Sequence, residues 1–186
     1  MRLSGRTRKL IGKLVELRRH ESRDYDLYGR WYGDHEIWRL TSWAGEPLSP
    51  SAVRRLFEDR ELSTTEDSFA IHPQGGRGPV GIISLMNISE ANSSADLSII
   101  VGPPEDRGRG YGTDAIREIL RYGFEERGLG RIGLSVFEFN EPAISAYKGL
   151  GFREEGRLRA ALERDGKRHD AILMSVLEPE WREKSD

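Results

Sequence analysis

The stretch that decides the fold of this chain is Ala95-Asp-Leu-Ser-Ile-Ile-Val-Gly-Pro-Pro-Glu-Asp-Arg-Gly-Arg-Gly-Tyr-Gly-Thr-Asp114. Its first part, 96–101, is a short apolar run rich in β-branched residues, which predicts a strand that ends at Gly102. Glycines then alternate with larger residues from Gly108 to Gly112, and a helical pattern begins at Thr113. The stretch therefore predicts a strand, a glycine-rich turn and a helix in succession.

The glycine-rich turn has the features of an anion site. Backbone N–H groups in such a turn point into one hollow, and the unpaired N–H groups at the start of the helix add to them. A hollow of this kind suits a phosphate. Arg107 and Arg109 place positive charge beside it.

Three nucleotide-binding patterns compete for these glycines. A Walker loop needs a lysine before its serine or threonine, and Gly112-Thr113 leaves no place for one. A Rossmann turn needs a glycine at the sixth position from Gly108, where this chain has Thr113. A third pattern, Arg/Gln-x-x-Gly-x-Gly/Ala, is filled by Arg107, Gly110 and Gly112.

Composition narrows the class of protein. The chain has 186 residues, 37% apolar and 32% charged, which fits one globular domain with a sizeable core. It has no cysteine, so disulfides, a thiolate nucleophile and thiolate metal sites are excluded. Four scattered histidines predict no metal site. A net charge of −2 disfavours nucleic acid as a partner, and the lack of long apolar runs disfavours a membrane span or a secretion signal.

The remaining elements follow from periodicity and turn residues. The expected order is β-α-α-β-β-β-α-β-α-β-β, which predicts an α/β domain with a mostly antiparallel sheet. Trp38, Leu40 and Trp43 are expected in a loop, and Asp165-Gly166 is expected to close a hairpin. The expected helices and strands are 13–18, 21–35, 51–62, 68–72, 80–88, 96–101, 113–127, 131–137, 141–150, 152–162 and 169–177.

A second block makes the third glycine pattern specific. Residues 140–152, Asn-Glu-Pro-Ala-Ile-Ser-Ala-Tyr-Lys-Gly-Leu-Gly-Phe, fill every position of N-x-x-A-x-x-x-Y-x-x-x-G-F. With the loop at Arg107–Gly112, this block resembles the GCN5-related N-acetyltransferase (GNAT) superfamily. The tail, from Glu155 to Trp181, resembles the subgroup that acetylates ribosomal-protein alanine termini and polyamines. One more residue than is usual in that family separates the central strand from Arg107, at Pro103-Pro104.

The resemblance implies a fold and a domain plan. The fold is α/β (α+β), a mixed and mostly antiparallel central sheet with a split between two strands, flanked by about four helices. One acetyltransferase domain is expected over 10–181, between a basic N-terminal tail, 1–9, and a frayed C-terminus, 182–186. The cytoplasm is the expected location, and relatives are often homodimers.

The resemblance also implies a co-substrate, acetyl-CoA, and the residues that bind it. The pantetheine would pair with the backbone of the central strand, the pyrophosphate would lie in the glycine hollow, and an asparagine would sit near the pantetheine. The implied binding residues are Ile99, Ile100, Val101, Arg107, Gly108, Arg109, Gly110, Tyr111, Gly112, Thr113 and Asn140.

Two residues are implied in catalysis. Tyr147 is the candidate acid for the leaving thiolate, although its spacing alone also fits a core aromatic on a short helix. Asp96 is the candidate base for the amine, and a solvated carboxylate at a strand start is its alternative role. Candidate substrate-lining groups include acids and aromatics of the N-terminal half, among them Asp24, Asp26, Tyr28, Trp31, Glu36, Trp38 and Trp43.

The expected function is transfer of an acetyl group from acetyl-CoA to a primary amine by direct attack, without an acyl-enzyme. A protein α-amine, a polyamine and an aminoglycoside remain open as acceptors. The alternative from another class is a non-catalytic module that binds an acyl-CoA.

Overall fold

The computed structural model describes residues 9–76 and 78–185, which surround one eight-stranded sheet. The predicted basic tail lies outside these ranges except for Lys9. The elements are β1 (Leu10–Ile11), β2 (Val15–Arg18), α1 (Tyr25–Gly33), α2 (His35–Thr41), α3 (Pro50–Leu62), β3 (Asp67–Pro73), β4 (Gly81–Ser89), β5 (Ser94–Val101), α4 (Tyr111–Arg121), β6 (Arg131–Phe137), α5 (Glu141–Leu150), β7 (Arg153–Arg164), β8 (Lys167–Leu177) and α6 (Glu178–Ser185).

The strand order β1-β2-β3-β4-β5-β6-β8-β7 is antiparallel except between β5 and β6. That parallel pairing comprises three residue pairs, from Ser94↔Arg131 to Asp96↔Gly133. In the described chain, no residue of β5 beyond Asp96 is paired with β6. The two strands therefore diverge from this point. The predicted fold, a mostly antiparallel sheet with a split between two strands, is confirmed.

The described residues form six α-helices rather than about four. The predicted helix over 21–35 ends at Gly33, and Asp34 starts α2, where its side chain accepts a hydrogen bond from the Ile37 N–H at 2.9 Å. Trp38 and Leu40 therefore lie in a helix, and their placement in a loop was wrong. Only Trp43 lies in the connection that follows.

The C-terminal residues form the other unpredicted helix. In α6, Arg182 pairs with Glu178 one turn earlier, and the Trp181 ring packs 5.4 Å from the Phe124 ring. The Lys184 ammonium donates to the Gly149 carbonyl at 3.1 Å. These contacts stabilise α6, which includes most of the segment 182–186 for which the sequence predicts fraying.

The sheet separates two cores. Along β5, Leu97 and Ile99 face α4, whereas Ile100 faces the layer of α1, α2 and α3. This alternation follows from the two-residue period of a strand. On β6 the residues buried towards α4 are Ile132, Leu134 and Val136, so Gly133, Ser135 and Phe137 point to the opposite face. The sheet thus presents a different set of side chains on each side of the split.

The start of α4 is fixed by a buried carboxylate. Asp114 is 3% exposed, and its Oδ2 accepts hydrogen bonds from the Leu14 N–H at 2.7 Å and the Val15 N–H at 3.0 Å. A Cβ on Gly12 would lie 2.4 Å from that oxygen, so the turn between β1 and β2 needs a glycine there. The contact sets the position of the helix N-terminus relative to the sheet.

None of the helices within 9–76 and 78–185 has the length and apolar character needed to cross a bilayer.

Candidate active site

A cavity of about 1010 Å³ lies where β5 and β6 diverge. It is bounded by the start of α4, by α5, by α2 and by the two strands. Most of the residues predicted to bind the co-substrate or to catalyse line it: Asp96, Ile99, Ile100, Val101, Arg107, Gly108, Gly110, Gly112, Thr113, Asn140 and Tyr147. Arg109 and Tyr111 do not line it; Arg109 is exposed and Tyr111 packs against the core.

The predicted phosphate hollow is formed by the turn before α4. Gly108 and Gly110 have φ values of +73° and +83°, which a β-branched residue would adopt only with strain. The backbone N–H groups from Gly110 to Thr113 donate no hydrogen bond to any described group. They are the unpaired donors of a helix N-terminus, which is where an anion binds well.

Arg107 contacts the end of β5 and also α2. Its guanidinium donates to the Val101 carbonyl at 3.4 Å, to the Gly102 carbonyl at 3.2 Å and to the Glu36 carboxylate at 2.9 Å. The side chain is half-buried and stays in the cavity wall. Its charge therefore lies beside the hollow while also joining β5 to α2.

Beyond Asp96, the edge of β5 that faces the split is free of strand partners in the described chain. Its opposite edge is paired with β4, for example Ile100 with Ile82 and Ser98 with Ser84. Backbone N–H and C=O groups on such an edge can pair with an extended amide chain as a further strand would. Ile99 and Val101 lie along this part of the cavity.

Tyr147 lies on α5 with its ring 5.6 Å from the Phe152 ring. Burial raises the pKa of its phenol to about 12, so the hydroxyl is protonated at neutral pH. None of the hydrogen bonds among the described residues involves this hydroxyl. It is therefore a proton donor inside the cavity without a competing acceptor.

Asn140 begins α5 and connects that helix to α2. Its Oδ1 accepts the Ala143 N–H at 3.4 Å, and its Nδ2 donates to the Leu40 carbonyl at 3.3 Å. The asparagine therefore lines the cavity while capping the helix that carries Tyr147.

Asp96 is exposed to the cavity at the last residue pair before the split. Its Oδ2 accepts a hydrogen bond from Nδ2 of Asn87 at 2.9 Å. Asn87 has a φ of +52° and lies in a β-bulge between Met86 and Ser89. A bulge re-aims the side chain it carries, and here that side chain reaches the carboxylate.

An ion pair next to Asp96 was not predicted. Arg131 donates two hydrogen bonds to Glu155, at 2.6 and 2.5 Å, and the Ser175 hydroxyl donates to the same carboxylate at 2.7 Å. The hydrogen bonds from Arg131 and Ser175 lower the pKa of Glu155 to about 2. Both members of the pair line the cavity. No local sequence pattern indicates them, because Arg131 is simply the first residue of β6 and Glu155 lies at a bulge of β7 that only the structure shows.

The candidate substrate-lining groups divide between the cavity and the core. Glu36 and Trp43 line the cavity. Tyr28 and Trp31 are buried in the core below α1 and α3. The Arg164 guanidinium lies over the Trp38 ring, 4.1 Å from the ring centre. The indole N–H of Trp38 donates a hydrogen bond to the Ala44 carbonyl. Asp24 and Asp26 are not among the lining residues.

We expect Gly110→Val to weaken CoA binding by at least tenfold, about 1.4 kcal/mol. The Cβ of the valine would lie 3.2 Å from a methyl group of Leu14, so the turn that forms the hollow would have to shift. A β-branched residue at φ +83° is also strained. Isothermal titration calorimetry with CoA measures the effect. Gly128→Val is the matched control, because Gly128 has a φ of +67° but does not line the cavity. Unchanged CoA affinity in Gly110→Val would contradict the assignment of the hollow.

Comparison with known proteins shows what this chain resembles. The family model described as an acetyltransferase (GNAT) domain matches residues 15–153. Spermidine N(1)-acetyltransferase of Escherichia coli (strain K12) is 29% identical over 140 residues, which cover 75% of this chain and 74% of that protein. YdaF of Bacillus subtilis (strain 168) is 35% identical over 101 residues, which cover 54% of this chain and 55% of YdaF, about half its length.

Solved structures share the fold. The spermidine N-acetyltransferase from Vibrio cholerae, in a crystal structure with CoA and spermine, superposes with a TM-score of 0.83 at 26% identity. The superposition covers 91% of this chain and 98% of that chain.

Proposed function

The chain belongs to the GNAT acetyltransferase family, and from this premise we propose that it transfers the acetyl group of acetyl-CoA to a primary amine. In this proposal the amine attacks the thioester directly and no acyl-enzyme forms. The absence of cysteine supports direct attack, because the chain has no thiol that could carry the acetyl group. We infer that residues 10–181 form the single catalytic domain.

One observation carries the proposal: a single cavity connects a phosphate hollow, an unpaired strand edge and a buried phenol. The donors from Gly110 to Thr113 fit a pyrophosphate, and Arg107 adds charge. The free edge of β5 fits the amide groups of a pantetheine. Tyr147 then lies where the arm ends, at the split.

The catalytic roles follow from the two proton transfers of the reaction, one from the attacking amine and one to the departing thiolate. An amine is protonated at neutral pH and attacks only after losing a proton. We propose that Asp96 holds the ammonium and receives that proton, directly or through water. Tyr147 donates the proton of its phenol to the departing thiolate. The phenol still carries this proton at neutral pH because its pKa is raised.

The proposed function specifies a primary amine as acceptor and leaves open which class of amine it is. The relatives from Escherichia coli and Vibrio cholerae are named for spermidine, which supports a polyamine. A protein N-terminus and other small amines have the same reacting group. A homodimer is a further expectation that a mass measurement in solution would decide.

The test is release of free CoA from acetyl-CoA, followed with a thiol reagent in the presence of each amine. We expect turnover with at least one of a peptide, a polyamine, an aminoglycoside and a simple alkylamine. CoA binding without turnover on any of them would favour the non-catalytic acyl-CoA-binding module. Absence of both binding and turnover would contradict the proposed function altogether.

A further inference from the structure

The cavity wall opposite α4 differs in character from one end to the other. We call it the acceptor face and define it by the cavity-lining residues of β5 and β6 that face away from α4: Asp96, Ser98, Ile100, Arg131, Gly133, Ser135 and Phe137. An amine that meets a thioester lying along β5 must come from this face, since the other side is filled by α4 and α5.

The charged end of the acceptor face has one unbalanced negative charge. Two carboxylates, Asp96 and Glu155, share this end with one guanidinium, that of Arg131. Arg131 is committed to Glu155 by two hydrogen bonds. Among the described residues, the one side chain that donates a hydrogen bond to Asp96 is the neutral amide of Asn87. Gly133, the pair residue of Asp96, has no side chain, and its Cβ position would be 3.5 Å from Oδ1 of Asp96 and 3.7 Å from Nη2 of Arg131. The guanidinium therefore borders Asp96 on the Gly133 side, and an ammonium would reach the carboxylate from the open side of the cavity.

The other end of the acceptor face is apolar. Trp43 and Phe137 meet at 5.1 Å with their rings at 74°, and Trp43 is 52% exposed at the rim. Leu40 of α2 and Leu173 of β8 complete this wall. Between the two ends lie Ser98 and Ser135, which are small and uncharged.

The remaining acids of the cavity lining are not available to a cation at the apolar end. Glu36 is paired with Arg107 at 2.9 Å. Asp106 lies in the turn 104–106, on the phosphate side of the cavity. Within the described lining, therefore, Asp96 is the one carboxylate without a cationic partner on the acceptor face.

The two ends are about 13 Å apart along the backbone of β6, because Gly133 and Phe137 are separated by four residues at about 3.3 Å per residue. An extended five- or six-carbon amine is shorter than this distance. It therefore contacts both ends only together with the side chains of Asp96 and of the aromatic pair, which line the cavity.

Resting on the proposed function, we propose that the acceptor is a monocationic primary amine with an apolar body, rather than a polycation. Its ammonium binds at Asp96, where the split begins, and its body lies on Leu40, Trp43, Phe137 and Leu173. A second ammonium placed on this wall would lose part of its water to apolar side chains, with no carboxylate of the lining to compensate.

Two amines of the same length test this directly. Hexylamine and 1,5-diaminopentane share a five-carbon chain and differ only in the distal group, a methyl or an ammonium. We expect kcat/KM for CoA release to be at least about tenfold higher with hexylamine. Spermidine, added as a polycation, should be poorer than hexylamine. Equal or better turnover of 1,5-diaminopentane or spermidine would overturn this inference and leave the proposed acetyl transfer intact. Failure with every amine would instead contradict the proposed function.

A pair of variants locates the preference. Trp43→Glu places a carboxylate at the apolar end and should lower the hexylamine to diaminopentane ratio by about tenfold or more. Leu62→Glu is the control, because Leu62 is 82% exposed on α3, away from the cavity, and carries the same charge change. An unchanged ratio in Trp43→Glu, or an equal fall in both variants, would place the recognition elsewhere and overturn the assignment of the wall.

Discussion

Tyr147→Phe is expected to lower kcat for acetyl transfer by about 100-fold or more, the range of a lost general acid. In the proposed function, the phenol of Tyr147, which lines the cavity, is the proton donor to the departing thiolate. The variant keeps the ring and its contact with Phe152, 5.6 Å away. Binding of acetyl-CoA should therefore change little, so the loss appears in kcat. Single-turnover kinetics, in which chemistry limits the rate, measure it.

The control for this variant is Tyr32→Phe, which removes a hydroxyl that accepts from Arg60 at 3.2 Å and lies outside the cavity. Its kcat should stay near that of the parent. The pKa of Tyr147, raised to about 12 by burial, also means that the phenol stays protonated when the amine is deprotonated by alkaline pH. Activity should thus rise with pH through the amine's titration without loss of the acid below about pH 11. If single-turnover rates in Tyr147→Phe match the parent, another group protonates the thiolate.

Asp114→Ala is expected to lower the free energy of unfolding by about 2–4 kcal/mol. The reason is that two backbone donors, the N–H groups of Leu14 and Val15, would lose their acceptor. Val15 is fully buried, whereas Leu14 is 45% exposed, so most of the cost falls on the Val15 N–H. Each buried donor left without a partner costs about 1–3 kcal/mol. The carboxylate also lies in the first turn of α4, where negative charge is favourable. In a chain of this size the melting temperature should fall by roughly 5–15 °C.

Two further variants separate the hydrogen bonds from the loss of an acidic residue. Asp59→Ala removes an exposed aspartate of α3 and should leave the melting temperature within about 2 °C. Asp114→Asn keeps one carbonyl oxygen and should fall between the parent and the alanine variant. Denaturant titration gives the free energies. Equal stability of Asp114→Ala and Asp59→Ala would show that the two N–H groups find other partners.

Local sequence patterns predicted those parts of the candidate site whose backbone conformation is set within a single short segment. A glycine turn before a helix defines its own geometry, since Gly108 and Gly110 adopt positive φ wherever the turn is built. The same is true of α5, where Asn140 caps the helix and Tyr147 follows two turns later. These segments could be predicted because the interactions that form them span only a few residues.

Helix boundaries in the N-terminal half were harder to predict. Tyr25, Tyr28, Trp31 and Tyr32 keep a helical period that runs on to His35, so nothing in the spacing shows where one helix stops. Asp34 adopts an extended conformation and caps a new helix. That choice depends on how α1 and α2 pack on the sheet, which periodicity does not contain.

Sequence alone thus predicted the fold class and the split sheet, which the structure confirms, and it identified the phosphate hollow and the acid Tyr147 as candidates, which stay predictions. Tertiary structure alone decided which polar side chains lie around Asp96. Arg131 and Glu155 are 24 residues apart and Asn87 lies nine residues before Asp96. They meet because of the strand order and because two bulges turn Asn87 and Glu155 toward the cavity. A shift of one residue in strand register moves every side chain to the other face of the sheet, so such a group follows from register and not from any local pattern.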